Sequence, residues 1–291
     1  MAIIPENLAI KKPDKKLLKK MNDVDLKEKI IFQKQSDFHS IQIVENKIGR
    51  FLKYDETYQA GYIKTEFYSG NLPYINYFLI PFLMNQDIEN ILLVGFGSGI
   101  LINQYEKLFK KVKKIDVVDI EENIFPLAEK YFDFKNSDNV DFCLQDALVF
   151  LKETKKKYDL IVVDVAGDEG IDERFCTIEY LESIKKKLKK NGIFVSNMPS
   201  SRDIFNSKNQ FPLSLIEKHK KVFKNLKLYN GETSNKIFYK TFFDIDEIVL
   251  DITNLIFISS DRNWEISLDV SEINKLSILL DSFLEDLIYN D

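Results

Sequence analysis

The sequence has little of what metal or disulfide chemistry needs: two cysteines, Cys143 and Cys176, and two histidines, His39 and His219, in 291 residues. With no Cys-x-x-Cys pair and so few soft ligands, no metal site is expected. Both cysteines fall in segments that read as regular structure, so no disulfide framework is expected and a reducing compartment is the default. Long apolar runs are also missing. The most apolar stretch, Ile75 to Met84, carries Pro81 and is too short to span a bilayer. The leading MAIIPENLAIKKPDKK has no apolar core of signal-peptide length, so a cytoplasmic protein without a membrane partner is expected. Positive charge is in deficit as well. With 41 basic against 46 acidic residues the formal charge is -5, which leaves no bulk field to draw in nucleic acid and suits a cationic partner better. The lysine runs at 15–20, 152–157 and 185–190 alternate with apolar or acidic residues and read as solvated helix faces.

What is present is an ordinary globular composition, 45% hydrophobic and 13% aromatic. Residues 1–36 are polar and weakly periodic and read as an arm laid on the main body. Ser40 to Val44 and Arg50 to Tyr54 alternate as strands joined through a turn, and Gln59 to Tyr62 continues them, giving a small antiparallel β domain at 37–67. From Glu89 the pattern changes to five short apolar runs, ending near Val94, Asp119, Leu144, Asp164 and Ser196, separated by helical stretches. That alternation predicts an α/β fold, a doubly wound, Rossmann-like and mostly parallel sheet, within a domain spanning 68–291. A helix over Leu213 to Phe223, β-like runs at 236–243, 247–252 and 255–259, and a helical period over 270–289 are expected to complete it.

The first parallel strand runs into Gly95-Phe96-Gly97-Ser98-Gly99. Glycines at alternate positions let the backbone turn sharply and approach a ligand, and the helix behind them offers free N–H groups. About twenty residues on, the second strand ends in Asp119, where a carboxylate accepts hydrogen bonds from ribose hydroxyls. The turn is Gly-x-Gly-x-Gly, not the Gly-x-Gly-x-x-Gly of dinucleotide sites, so a mononucleoside fits better. Asp146, after the third strand, suits an adenine amine and equally suits the N-cap of the helix from Ala147; both can hold at once. Asp164 ends the fourth strand at the edge where open α/β sheets bind ligands, and with the loop carboxylates after it would attract an amine and take its proton.

The ordered segments LLVGFGSG, VVDIEENI, LQDALVFL, YDLIVVDVAGDEG and NGIFVSN, preceded by GRFLKYDETYQ, resemble the spermidine synthase (polyamine aminopropyltransferase) family across residues 37–200. The resemblance implies decarboxylated S-adenosylmethionine as cofactor, or S-adenosylmethionine itself, with no metal. It places Gln59 beside the thioether end, Asp119 with Ile120 at the ribose, and Asp146 with Ala147 near the adenine. Gly95, Gly97 and Gly99 form the turn beneath the cofactor. Asp164 is the base that deprotonates the attacking amine, and Tyr74, Asp168 and Glu169 fall on the acceptor side. A small-molecule amine substrate and a homodimer are implied too.

The chain departs from the family pattern at several of these points. Ser98 stands where the family has an aspartate in its glycine turn, and Tyr74-Ile75-Asn76 stands for Tyr-His-Glu. Asp168 comes one position late, and the family's Tyr-Pro-Ser-Gly segment has no counterpart after residue 220. Each lost contact to an ammonium group is worth about 1.5 to 3 kcal/mol, so these losses weigh against a polyamine and against the decarboxylated cofactor, and favour S-adenosylmethionine itself in the alternative reading. The leading expectation is aminopropyl transfer to a polyamine-like amine. The alternative is an S-adenosylmethionine-dependent methyltransferase of a small molecule, and the third is a non-catalytic nucleoside-binding protein.

Overall fold

The computed structural model describes residues 27–47, 49–55, 57–64, 69–70, 72–165, 172–201, 211–230, 252–263 and 287–289. The chain starts with β1 (Lys29–Gln35), β2 (Ser40–Asn46), β3 (Gly49–Tyr54), β4 (Thr57–Lys64) and β5 (Ser69–Gly70), an antiparallel sheet in that order. β2 and β3 turn Ile41, Ile43 and Leu52 into the core and polar residues outward, as the alternation predicts. β1 lies inside the segment read as an arm, so the sheet starts at Lys29 and not at 37. As an edge strand it leaves both faces largely exposed, and such a strand has no apolar period to read.

A 3-10 turn over Pro73–Leu79 and α1 (Ile80–Met84) lead into the second sheet. There β6 (Asn90–Val94), α2 (Ile100–Leu108), β7 (Lys114–Asp119), α3 (Ile124–Tyr131) and β8 (Val140–Leu144) follow in turn. Next come α4 (Ala147–Glu153), β9 (Tyr158–Val163), α5 (Ile178–Lys187) and β10 (Leu188–Ser201). The parallel strands stand in the order β10-β9-β6-β7-β8. Alternate residues of β6 enter the cores on opposite faces, Ile91 and Leu93 on one and Leu92 and Val94 on the other, which is why the run is apolar throughout. The chain reverses direction across the sheet at β6, which places the ligand crevice at its carboxyl end.

α6 (Phe211–Val222), β11 (Asn225–Asn230), β12 (Ile252–Ser260) and β13 (Leu287–Tyr289) add an antiparallel edge, in the order β13-β11-β12-β10. The helix expected over Leu213 to Phe223 and the strand expected over Leu255 to Ser259 are both there. Leu287–Tyr289 pairs with β11 as a strand where a helical period was expected, because the open edge of β11 supplies partners that sequence spacing does not register. The expected runs at 236–243 and at 247–251 lie outside the described residues, as do 270–286. The small sheet shares a core with the large one, since Ile41, Leu52 and Ala60 pack in one cluster with Leu93 and Val162. Arg50 ties the two together, its guanidinium donating to the Tyr131 carbonyl at 2.9 Å and to Glu45 at 2.7 Å.

Candidate active site

The glycine turn owes its path to backbone shape. Gly95, Gly97 and Gly99 all have positive φ, 92°, 56° and 72°. At Gly95 a side chain is excluded outright, since a Cβ would stand 2.3 Å from the Asp164 carbonyl oxygen. That contact is the close approach of the tips of β6 and β9, sealed by the Asp164 N–H donating to the Val94 carbonyl at 2.9 Å. At Gly97 the neighbour is Ala60 of β4, so the small sheet closes directly over the turn.

Between turn and small sheet lies a cavity of about 250 Å³. Its wall includes Gln59, Gly95, Gly97 and Gly99, together with Asp119, Ile120, Asp146, Ala147 and Asp164, so every cofactor-side residue expected from the sequence meets there. Asp119 is largely enclosed, and its two oxygens accept the N–H groups of Phe96 at 2.8 Å and Glu121 at 2.9 Å. Burial pushes its carboxyl up, and those N–H groups oppose the shift. With the Ile120 N–H also turned to it, the carboxylate keeps acceptor capacity for a hydroxyl of a ligand. Ile120 beside it is 46% exposed, an apolar side chain left uncovered at the cavity mouth. Asp146 caps α4, one oxygen accepting from Leu148 and Val149, while the other faces Arg174 at 3.5 Å. The capping half of its dual reading is therefore present, with one oxygen still directed elsewhere.

Asp164 sits at the bottom. Its carboxylate accepts from the Tyr74 hydroxyl at 3.2 Å and from the Asn197 amide at 2.9 Å. Enclosure by protein pushes the carboxyl up to about 6, with the Asn197 and Tyr74 hydrogen bonds pulling the other way. Burial, and then the neighbouring carboxylate, hold the Tyr74 phenol well above its usual range, so it remains a donor. Asp168 and Glu169 lie outside the described residues.

Sequence reasoning missed several contributors. Glu121 is buried on the cavity wall beside Asp119. His39 and Tyr54, stacked at 4.7 Å between ring centroids, come from the small sheet. Arg174 belongs to a 3-10 turn over Glu173–Cys176 and is paired with Asp172 at 2.6 Å. Asn197 follows the part of β10 that pairs in parallel with β9, level with Asp164, and that position was the signal available for it. Ser98 and Ile75, two of the departures from the family pattern, are buried in the same wall, and Asn76 is buried beside Ile75.

The chain is similar to several known proteins. A polyamine aminopropyltransferase of Buchnera aphidicola subsp. Acyrthosiphon pisum (strain Tuc7) is 27% identical over 212 residues, covering 71% of this chain and 68% of the relative. Among solved structures, a probable spermidine synthase from Corynebacterium glutamicum ATCC 13032 superposes with a TM-score of 0.66 at 15% identity, covering 86% of this chain and 87% of the other. A spermidine synthase in complex with the transition state analogue AdoDATO gives 0.65 at 18% identity, covering 89% and 85%. At these identities the superpositions speak for the fold, an α/β Rossmann-like domain preceded by a small antiparallel sheet. The spermine/spermidine synthase domain model matches residues 78–233, more than half of the chain and the whole span from the strand before the glycine turn through the Asp164 tip to β11, and the chain belongs to that family.

Proposed function

We propose that the chain transfers an aminopropyl group from decarboxylated S-adenosylmethionine to a polyamine-like amine. The observation that carries this reading is Asp164, a carboxylate enclosed beneath the cavity with a proton affinity near 6 and a tyrosine hydroxyl fixed against it. At neutral pH such a group is ionised, attracts an ammonium and takes its proton. The donor supplies a carbon activated by a sulfonium. The freed amine nitrogen bonds to that carbon, the carbon–sulfur bond breaks with its electron pair staying on sulfur, and the extra proton rests on Asp164. The protein's remaining task is in-line positioning, to which Gln59 on the cavity wall and Tyr74 through its hydrogen bond to Asp164 contribute.

Charge supports the decarboxylated donor. Acidic side chains on the wall include Asp119, Glu121, Asp146, Asp164 and Asp172. The one arginine among the described wall residues, Arg174, is occupied by Asp172 and Asp146, and the His39 ring lies 3.3 Å from Asp55. A donor that kept its carboxylate would bring a negative charge among these acids with no cation set to meet it. Ser98, in place of an aspartate, leaves the amine end of that donor with one acid fewer, while Asn76, in place of a glutamate, removes one on the acceptor side, so the acceptor is expected to differ from that of relatives that retain it. The similar proteins do not favour the methyltransferase or the non-catalytic reading.

Incubation with decarboxylated S-adenosylmethionine and a panel of diamines and triamines should release methylthioadenosine together with an aminopropylated amine. Asp164→Asn should lower turnover about a hundredfold or more while nucleoside binding survives. Full turnover in that variant would remove Asp164 from the chemistry. The proposal extends to a cytoplasmic location, to a division of the chain near residue 67, and to a homodimer formed through the small sheet. Support for the dimer is the position of β1 at the end of the sheet among the described residues, with Ile30 exposed, and a monomer in light scattering would contradict it.

A further inference from the structure

Three neighbouring strands change from apolar to polar at the same level. On β9 the side chains facing the small sheet run Leu160, Val162 and then Asp164; on β10 they run Ile193, Val195 and then Asn197; on β12 they run Ile258, Ile256 and then Asn254. Register explains the row. Val163 pairs with Ser196 in parallel, so Asp164 and Asn197 are level, and Asn197 pairs with Ile256, which puts Asn254 at the adjacent diagonal on the same face. The Asn197 amide nitrogen donates to Asp164 at 2.9 Å and to Asn254 Oδ1 at 3.0 Å. Both of its N–H groups are thus spoken for, which fixes which end of the amide faces the carboxylate. Its own Oδ1 is buried and finds no partner among the described residues, so the orientation favours Asp164 over the amide's own acceptor.

We propose that Asn197, oriented by Asn254, is a positioning residue for the carboxylate of Asp164: it holds one oxygen and stabilises the ionised form, leaving the other, steadied by Tyr74, to receive the proton of the acceptor amine. The inference rests on the reading of Asp164 as the base. The groups that face Asp164 are Tyr74 from the 3-10 turn, Tyr105 from α2, whose phenol burial and then Asp164 raise, and Asn197 from β10. Asp119, Glu121, Asp146, Asp172, Arg174 and His39 share the cavity wall with it.

The sign of the effect follows. A hydrogen bond to the charged form lowers the carboxyl's pKa, and removing it raises that pKa. The acid limb of the pH–rate profile, where Asp164 ionises, should therefore move to higher pH by about one unit in Asn197→Leu, and turnover lost at neutral pH should return at higher pH. Asn254→Ala, which frees the amide to turn, should move the limb the same way by less. Asn197→Asp, which adds a like charge, should move it further. The KM for decarboxylated S-adenosylmethionine, with a four-carbon diamine as acceptor, should stay unchanged in Asn197→Leu and Asn254→Ala. If Asn197→Leu does not fold, Asn254→Ala carries the same test. An unmoved limb, with turnover reduced equally at every pH, overturns the inference and leaves a packing role. Asp164→Asn separates the two levels: if it abolishes turnover while the limb is unmoved in the asparagine variants, only the positioning role falls, and if it keeps full turnover, the base reading itself falls.

Discussion

Asp164 joins function to a stability cost. Its carboxyl is raised from 3.8 to about 6, so the folded protein holds its proton more tightly than the unfolded chain does. A raised carboxyl contributes stability that is fully present below about pH 4 and is lost as pH rises through 6. Asp164→Asn should therefore raise the melting temperature at pH 7 to 8, corresponding to about 1 to 3 kcal/mol, and the gain should vanish toward pH 4. Equal melting temperatures of the two proteins across that range would contradict the raised carboxyl. At this scale the sequence was informative where position and residue type coincide: Asp119 ends a parallel strand, Asp164 and Asp146 follow one within two residues, and all three reach the cavity. Glu121 and Arg174 were not legible. A second acid after a strand tip and an arginine in a loop are common on solvated surfaces, and only the path of the chain turns these two into the wall.

Among the elements, the β6–α2 turn has the least freedom. Gly95→Ala places a methyl group against the backbone of Asp164 and requires a positive φ of an alanine. It should cost about 3 kcal/mol of folding stability and displace the tip of β9, so that nucleoside binding is lost with it. Wild-type affinity by calorimetry would contradict this. Strands buried on both faces, β6, β7, β9 and β10, were readable because length and apolar content suffice for a parallel strand, and β8 at the sheet's end was readable from its place in the alternation. Other outer strands were not. β1 exposes both faces, β11 went unrecognised in a lysine-bearing run, and β13 takes its conformation from pairing with β11. Edge strands are set by a neighbour's open hydrogen bonds, which leave little trace in their own residues.

On the scale of the whole molecule the cavity is composite: Gln59, Tyr54 and His39 come from the small sheet, and the carboxylates come from the large one. Docking of the two sheets is thus part of ligand binding. Arg50, half-exposed between Glu45 and the Tyr131 carbonyl, is one link across that junction. Arg50→Ala should cost about 1 kcal/mol, and weaken nucleoside binding about fivefold with little change in turnover at saturation. A fall in turnover alone would argue against a docking role. The acidic wall, with its cations already paired, makes the nature of the donor the central claim. Calorimetric titration with decarboxylated and intact S-adenosylmethionine, side by side, tests it most directly. Tighter binding of the decarboxylated form, by about tenfold or more, is predicted from the missing counter-charge for a carboxylate; tighter binding of the intact form would contradict aminopropyl transfer.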